Sequence, residues 1–196
     1  MTSWTICVPI KSGTAGKSRL SAALSVDQRA ELVERMARHV LDTAAKVRGI
    51  DRVLVLSTQR PTWWDGTWAE AQPPEGDLNA HLQQWRAGFG SDPCLILHAD
   101  LPGVTVAEIE ALLDAANRSG IAMATDEAGQ GSNALAIADG RSFVFEFGSE
   151  SRSRHCTRNP DMTVLQLPGL AADVDLPMDV DRVLPEAQCT ASVLRH

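Results

Sequence analysis

Residues 94–103 read Cys-Leu-Ile-Leu-His-Ala-Asp-Leu-Pro-Gly, and this run constrains the fold more than any other. Its first four residues are all apolar, without the alternation of a strand that has one wet face. Such a run suits a strand covered on both sides, as in a parallel sheet. Pro102 and Gly103 then break it, directly after Asp100. Open α/β sheets place ligand-binding groups in this way, at the carboxyl end of a buried strand. A carboxylate there often holds a divalent metal against phosphate.

The rest of the chain repeats the pattern. Trp4 to Ile10 is an apolar strand that runs into Lys11-Ser-Gly-Thr-Ala-Gly-Lys-Ser-Arg19, a loop of small residues and cations. Ser25 with Gln28 three residues on predicts a capping box. Val33, Met36, Ala37, Val40, Leu41, Ala44 and Val47 follow at helical spacing, and Gly49 ends the helix. Arg52 to Ser57 is a second continuous apolar strand. A helix starts at Asp77-Leu-Asn-Ala-His81 and runs through Trp85 and Phe89. Thr105 and Glu108 predict another capping box, ahead of Ile109, Leu112, Leu113 and Ala116. Short strands are expected at Ile121–Thr125, Asn133–Ala138, Ser142–Phe147, Thr163–Leu167 and Ala172–Asp175, with Asp139-Gly140 as a hairpin turn. Strand and helix alternate through the first half, so the chain reads as one α/β domain over residues 1–196. It is Rossmann-like, with a mostly parallel sheet flanked by helices. Residues 60–77 form a long loop, with room for a short strand, that carries Trp63, Trp64 and Trp68. These rings are either a lid or interface, or, more simply, packing that seats the loop on the core.

Composition narrows the functions. A net charge of −7 argues against broad nucleic-acid binding, though a small anion can still be held where cations or a metal reverse the local sign. The four cysteines, Cys7, Cys94, Cys156 and Cys189, make no Cys-x-x-Cys pair and no zinc site is expected. There is no secretory leader pattern and no apolar run of membrane-spanning length, so a cytoplasmic protein with no membrane partner is expected.

Three segments carry chemistry. Gly13-Thr-Ala-Gly16-Lys17-Ser18 resembles the end of a P-loop, but Lys11 stands where that pattern needs glycine. What remains is a flexible backbone with Lys11, Lys17 and Arg19 after a strand, suited to a triphosphate or simply exposed. In Ala172-Asp173-Val-Asp175-Leu-Pro177, alternation puts two aspartates on one face. Two like charges that close call for a cation between them, and Mg²⁺ bound also by substrate phosphates fits; the plain alternative is a solvated acidic loop. Phe147-Gly-Ser-Glu-Ser151-Arg-Ser-Arg154-His155 and Gly131-Ser-Asn-Ala-Leu135 are either anion cradles or polar turns. No Ser–His–Asp or Cys–His nucleophile pattern is present. A phosphate monoester, already ionised near neutral pH, needs no such activation to attack.

In order along the chain, Val8-Pro-Ile-Lys11, Lys17-Ser-Arg-Leu20, Leu78-Asn79, Ala99-Asp-Leu-Pro102, Gly131-Ser-Asn-Ala-Leu135, Phe147-Gly-x-x-Ser151-x-x-x-His155 and Asp173-Val-Asp175-x-Pro177 resemble the CofC/FbiD family of guanylyltransferases of coenzyme F-420 biosynthesis. The resemblance implies a nucleotidyltransferase fold, GTP and Mg²⁺, and an acceptor among 2-phospho-L-lactate, phosphoenolpyruvate and 3-phospho-D-glycerate. It places the metal on Asp100, Asp173 and Asp175. It places the nucleotide on Pro9, Lys11, Lys17, Arg19, Asn79 and Asp100, with Asp100, Lys17 and Arg19 catalytic, and the acceptor on Ser132, Gly148 and Ser151. Arg152 or Arg154 would then pair with the acceptor carboxylate. The downstream transferase that consumes the guanylylated product becomes a candidate partner. This chain departs from the family at Asp77 (usually glycine), Ser132 (commonly threonine) and Leu176 (frequently threonine), and in its tryptophan-rich loop. Two other readings stand beside this one: a nucleotidyltransferase acting on a molybdopterin or a sugar phosphate, and a GTP-binding regulatory module without turnover.

Overall fold

In the computed structural model, residues 3–11, 18–73, 75–175 and 179 are described, the side chains of Ser18 and Arg19 excepted. Among these residues seven strands form one sheet: β1 (Trp4–Pro9), β2 (Ile50–Ser57), β3 (Thr67–Glu70), β4 (Cys94–Leu97), β5 (Ile121–Thr125), β6 (Ser132–Ile137) and β7 (Thr163–Leu165). Their order across the sheet is β3-β2-β1-β4-β6-β5-β7. Every neighbouring pair is parallel except those made by β6, which is antiparallel to both β4 and β5. The sheet is therefore mostly parallel, as the apolar runs predict.

The helices are α1 (Val26–Ala44), α2 (Leu78–Phe89), α3 (Val106–Ser119), α4 (Ser151–Arg158) and the four-residue α5 (Pro168–Ala171); a 3-10 turn covers Ser18–Ala22. Both expected capping boxes are present, at Ser25/Gln28 and Thr105/Glu108. Asp77 caps α2 by accepting from the Ala80 N–H at 2.9 Å, which gives a use to this departure from the family pattern.

Alternation in the central strands feeds two cores. Trp4, Ile6, Val8, Leu95, Leu97, Ala134 and Ala136 pack with α1 and α3 on one face. Cys7, Cys94, Ile96, Leu135 and Ile137 pack with α2 and with Phe143, Phe145 and Phe147 on the other. Trp63, Trp64 and Trp68 pack against the first core, so the loop is seated as the simpler reading expects. The Trp68 indole N–H donates to the Ser57 hydroxyl at the end of β2, at 3.0 Å.

The first helix stops at Ala44, with Ala45 as its cap, and not at Gly49; three other expected elements differ. Residues 142–147 make no ladder, although burial alternates along them as in a strand. Side chains take the backbone groups a neighbouring strand would have bonded. Gln83 Nε2 donates to the Phe143 carbonyl, Asn79 both donates to and accepts from Phe147, and the Glu146 N–H donates to His155 Nε2. The hairpin turn accordingly lies at 126–131, where the Asp126 carboxylate accepts the N–H groups of Gln130 and Gly131, and not at Asp139-Gly140. Residues 172–175 are irregular: they cross the end of the sheet, tied by the Val174 N–H to the Asp100 carbonyl at 3.3 Å.

Candidate metal and acceptor site

The antiparallel setting of β6 builds the site. β1 and β4 run parallel and end at the same edge, and β6 starts there, with Ala134 opposite Leu97. The His98 N–H donates to the Asn133 carbonyl at 3.0 Å, extending that pairing towards Asp100. Beyond it the chain turns through Pro102-Gly103 into α3. From the far side, α5 carries the chain back over the same edge to Asp173 and Asp175. One carboxylate oxygen from each of Asp100, Asp173 and Asp175 lies within 4.8 Å of the other two, and all three residues are half-buried. The alternation expected of 173–175 survives without a strand, because Val174 turns the opposite way and packs against Leu20, Leu32 and Met36.

Beside the Val174 to Asp100 bond, two further contacts hold the acid-bearing segments together. Glu108, the capping-box residue of α3, accepts from the Thr105 N–H with one oxygen at 3.0 Å and from the Gly169 N–H with the other at 2.6 Å. Asn133, buried at the start of β6, donates from its carboxamide nitrogen to the carbonyls of Leu170 at 3.1 Å and Ala171 at 3.4 Å. The same nitrogen lies 3.3 Å from the Asp173 carboxylate. Burial, with the charges of Asp100 and Asp175, pushes the Asp173 carboxyl above its usual range, and the Asn133 bond opposes that rise. Three converging hard oxygen donors that repel one another fit a hard divalent cation such as Mg²⁺.

The second group sits where β6 begins and α4 begins. Gly148 (φ 117°) and Glu150 (φ 56°) both take left-handed backbone, making the sharp entry into α4. The Ser132 hydroxyl donates to the Ser151 hydroxyl at 2.7 Å. Both serines are almost wholly enclosed, while Gly148 beside them is exposed, and its carbonyl accepts the Ser151 N–H at 3.2 Å. Arg154 Nη2 lies 3.6 Å from where a side chain on Gly148 would begin, and donates to the Ser149 carbonyl at 2.6 Å. Arg152 turns away to the Gly129 carbonyl at 2.9 Å. Of the two arginines, Arg154 is therefore the one placed beside Gly148.

His155 closes this group from beneath. It is fully buried between Phe143 and Phe147, and its Nε2 accepts from the Glu146 N–H at 2.9 Å. The neutral ring then carries its proton on Nδ1, 3.5 Å from the Ser132 hydroxyl. Burial lowers the His155 pKa from 6.5 to about 4. An unfolded chain binds a proton near pH 6.5 that the folded chain refuses until about pH 4, so stability falls as pH falls through that window. Between pH 7.5 and 5 this one group removes roughly 2 kcal/mol. Urea titrations at the two pH values should show the native protein losing that much more than His155→Gln; equal losses would show that the ring does not stay neutral.

The nucleotide side is described only in part. Pro9 ends β1 and Lys11 stands exposed just beyond it. Residues 12–17, with Lys17 and the glycine-rich run, lie outside the described residues, as does the side chain of Arg19. Asn79 is spent on the backbone of Phe147, which fixes the approach to Gly148. Sequence reasoning missed the side-chain roles of Asn133, Glu108 and His155. Only Glu108 had a local signal, its capping box, and that signal does not reveal its second oxygen's reach to Gly169.

A family model described as "Guanylyl transferase CofC like" matches residues 4–182. The chain is 35% identical over 196 residues to a phosphoenolpyruvate guanylyltransferase of Sphaerobacter thermophilus, covering 94% of each. It is 33% identical over 150 residues to a 2-phospho-L-lactate guanylyltransferase of Methanosarcina acetivorans, covering 76% of this chain and 69% of that one. Among solved structures, a putative nucleotide-diphospho-sugar transferase from Desulfovibrio desulfuricans G20 superposes with a TM-score of 0.71 at 16% identity, over 97% of this chain and 90% of that one.

Proposed function

This chain belongs to the CofC-like guanylyl transferase family, and from that we infer that it moves GMP from GTP to the phosphate of a small phosphorylated three-carbon acid, releasing pyrophosphate. The observation that carries the reading is the convergence of Asp100, Asp173 and Asp175 at the carboxyl edge of a mostly parallel sheet. The names of the Sphaerobacter and Methanosarcina relatives favour a three-carbon acid over a molybdopterin or a sugar phosphate as acceptor, and a module without turnover has no need of three converging carboxylates.

An oxygen of the acceptor phosphate attacks the α-phosphorus of GTP in line. A new P–O bond forms as the bond from the α-phosphorus to the bridging oxygen breaks, and pyrophosphate leaves with that oxygen. The attacking oxygen is already ionised, so no general base is required. Mg²⁺, held by the three aspartates, would supply charge neutralisation to both reactants. Asp100 follows β4 by three residues and its carbonyl accepts the Val174 N–H, between Asp173 and Asp175, while Asn133 holds the Asp173 carboxylate, so the acids are positioned before substrate arrives. Lys11, Lys17 and Arg19 are assigned to the triphosphate and the leaving pyrophosphate, beside Pro9; Asn79, bonded on both sides to the Phe147 backbone, acts by holding that segment and not by a direct contact with the nucleotide. The acceptor is assigned to Ser132, Gly148 and Ser151, with Arg154 beside Gly148 to pair its carboxylate.

The family resemblance supports use of the product in coenzyme F-420 biosynthesis, by a downstream transferase. The cytoplasm, which supplies GTP, is the compartment this reading requires; no described helix is long and apolar enough to cross a membrane. Purified protein with GTP and Mg²⁺ should release pyrophosphate with at least one of phosphoenolpyruvate, 2-phospho-L-lactate and 3-phospho-D-glycerate, and much less with ATP or CTP. Phosphoenolpyruvate is the first to test, since the Sphaerobacter relative carries that name. Silence with all three acids would sink the reading.

A further inference from the structure

We propose that Asn133 is a positioning residue for the metal site: its carboxamide sets Asp173 in place to receive a divalent cation beside Asp100. The inference rests on the metal reading above and adds to it a residue that is not itself a ligand.

Asn133 touches both acid-bearing segments at once. Its backbone carbonyl accepts the His98 N–H, two residues before Asp100. Its side chain spans to the other segment, where the amide nitrogen faces the Leu170 and Ala171 carbonyls and the Asp173 carboxylate, at 3.1, 3.4 and 3.3 Å. All three neighbours are oxygen acceptors, so the amide must present its nitrogen to them; flipped, it would set oxygen against oxygen. The residue is 5% exposed, and its orientation is fixed by packing. Leu170 and Ala171 end the short helix α5, whose last carbonyls need donors from outside the helix. The bond that finishes α5 thus also aims the first aspartate after it.

The geometry sets like charges together: Asp100 and Asp175 repel Asp173, and the Asn133 hydrogen bond opposes that repulsion. A neutral donor opposes this without competing for the cation, as a lysine would by pairing with the carboxylates. Groups of this kind, bonded to a ligand and not to the metal, typically change metal affinity about 10–100-fold when removed.

The test uses Mn²⁺ as the probe, titrated into purified protein and followed by the electron paramagnetic resonance of the free ion. Asn133→Leu keeps the branched shape of the side chain, in a larger volume, and removes the donors; Asn133→Ala removes the donors and leaves space. Either variant, folded by circular dichroism, should bind Mn²⁺ about 10–100-fold more weakly. The Mg²⁺ concentration for half-maximal pyrophosphate release should rise by the same factor, and saturating Mg²⁺ should restore most of kcat. A folded variant with native Mn²⁺ affinity overturns the proposal. So does a lower kcat with unchanged metal dependence, or loss of folding in both variants, since the carboxamide would then be structural alone. Asp173→Asn is the control: if it too binds Mn²⁺ as the native protein does, the metal reading itself fails.

Discussion

Asp173→Asn is expected to slow guanylyl transfer by roughly a thousandfold while leaving the metal-free protein no less stable than the native one. The kinetic loss follows from removing one of three charged ligands. Metal-assisted charge neutralisation is worth several kcal/mol at the transition state, and about 4 kcal/mol is a factor near a thousand in rate. The stability follows from the apo geometry. Burial and the charges of Asp100 and Asp175 make the ionised form of Asp173 unfavourable in the folded chain. The linkage sign for a carboxyl raised in this way is that folding is hindered, not helped, once pH exceeds its unfolded value. Asparagine removes the charge, and its carbonyl oxygen can still accept from Asn133. Thermal melts in EDTA should therefore place the variant at or above the native midpoint. Mg²⁺ or Mn²⁺ should raise the native midpoint, because a ligand that binds only the folded state stabilises it, and should leave the variant where it was. A variant that melts well below native in EDTA would show that the acid supports the fold, and the assignment to metal would be lost.

What the sequence made legible, and what it did not, divides by the range of the interaction. β1, β2 and β4 announce themselves as apolar runs, and both capping boxes are local spacings of three residues. Asp173 and Asp175 share a face because alternation is a property of extended backbone, with or without a ladder. The 142–147 segment misleads for the same reason: Phe143, Phe145 and Phe147 alternate as a strand does, but its backbone bonds side chains, those of Asn79 and Gln83 more than fifty residues earlier and that of His155 just after it. Asn133, read only as part of a turn into a strand, meets Asp173 forty residues on. Nothing in spacing or periodicity encodes such a pair. The meeting of Asp100 with Asp173 was likewise carried by the family resemblance and by no spacing within the chain. The cationic loop is legible as composition alone, since residues 12–17 lie outside the described structure.

Gly169→Ala should disable the enzyme from outside the metal site, and by a different route. Gly169 is the second residue of α5, and a Cβ there would drive into the backbone carbonyl of Gly103 and the carboxylate of Glu108. Neither neighbour can yield cheaply. Gly103 belongs to the tight turn between Asp100 and the cap of α3. Glu108 is committed at both oxygens, one to Thr105 and the other to Gly169 itself. The relief available is for α5 to lift from α3, which carries Asp173 and Asp175 away from Asp100. Overpacking of this kind costs about 1–3 kcal/mol, and displacement of a reacting group by about 1 Å costs on the order of a hundredfold in rate. The expected signature is a lowered melting midpoint together with weakened Mn²⁺ binding and a kcat loss near a hundredfold that added Mg²⁺ only partly restores. It differs from Asp173→Asn, in which binding is lost and stability is kept. Gly103→Ala is the internal comparison: a Cβ there comes no nearer than 3.6 Å to Gly169, ordinary contact, so this substitution should leave both midpoint and rate close to native. Were Gly169→Ala to match Gly103→Ala in both measurements, the close packing of α5 on the turn after Asp100 would not be what brings the three carboxylates together.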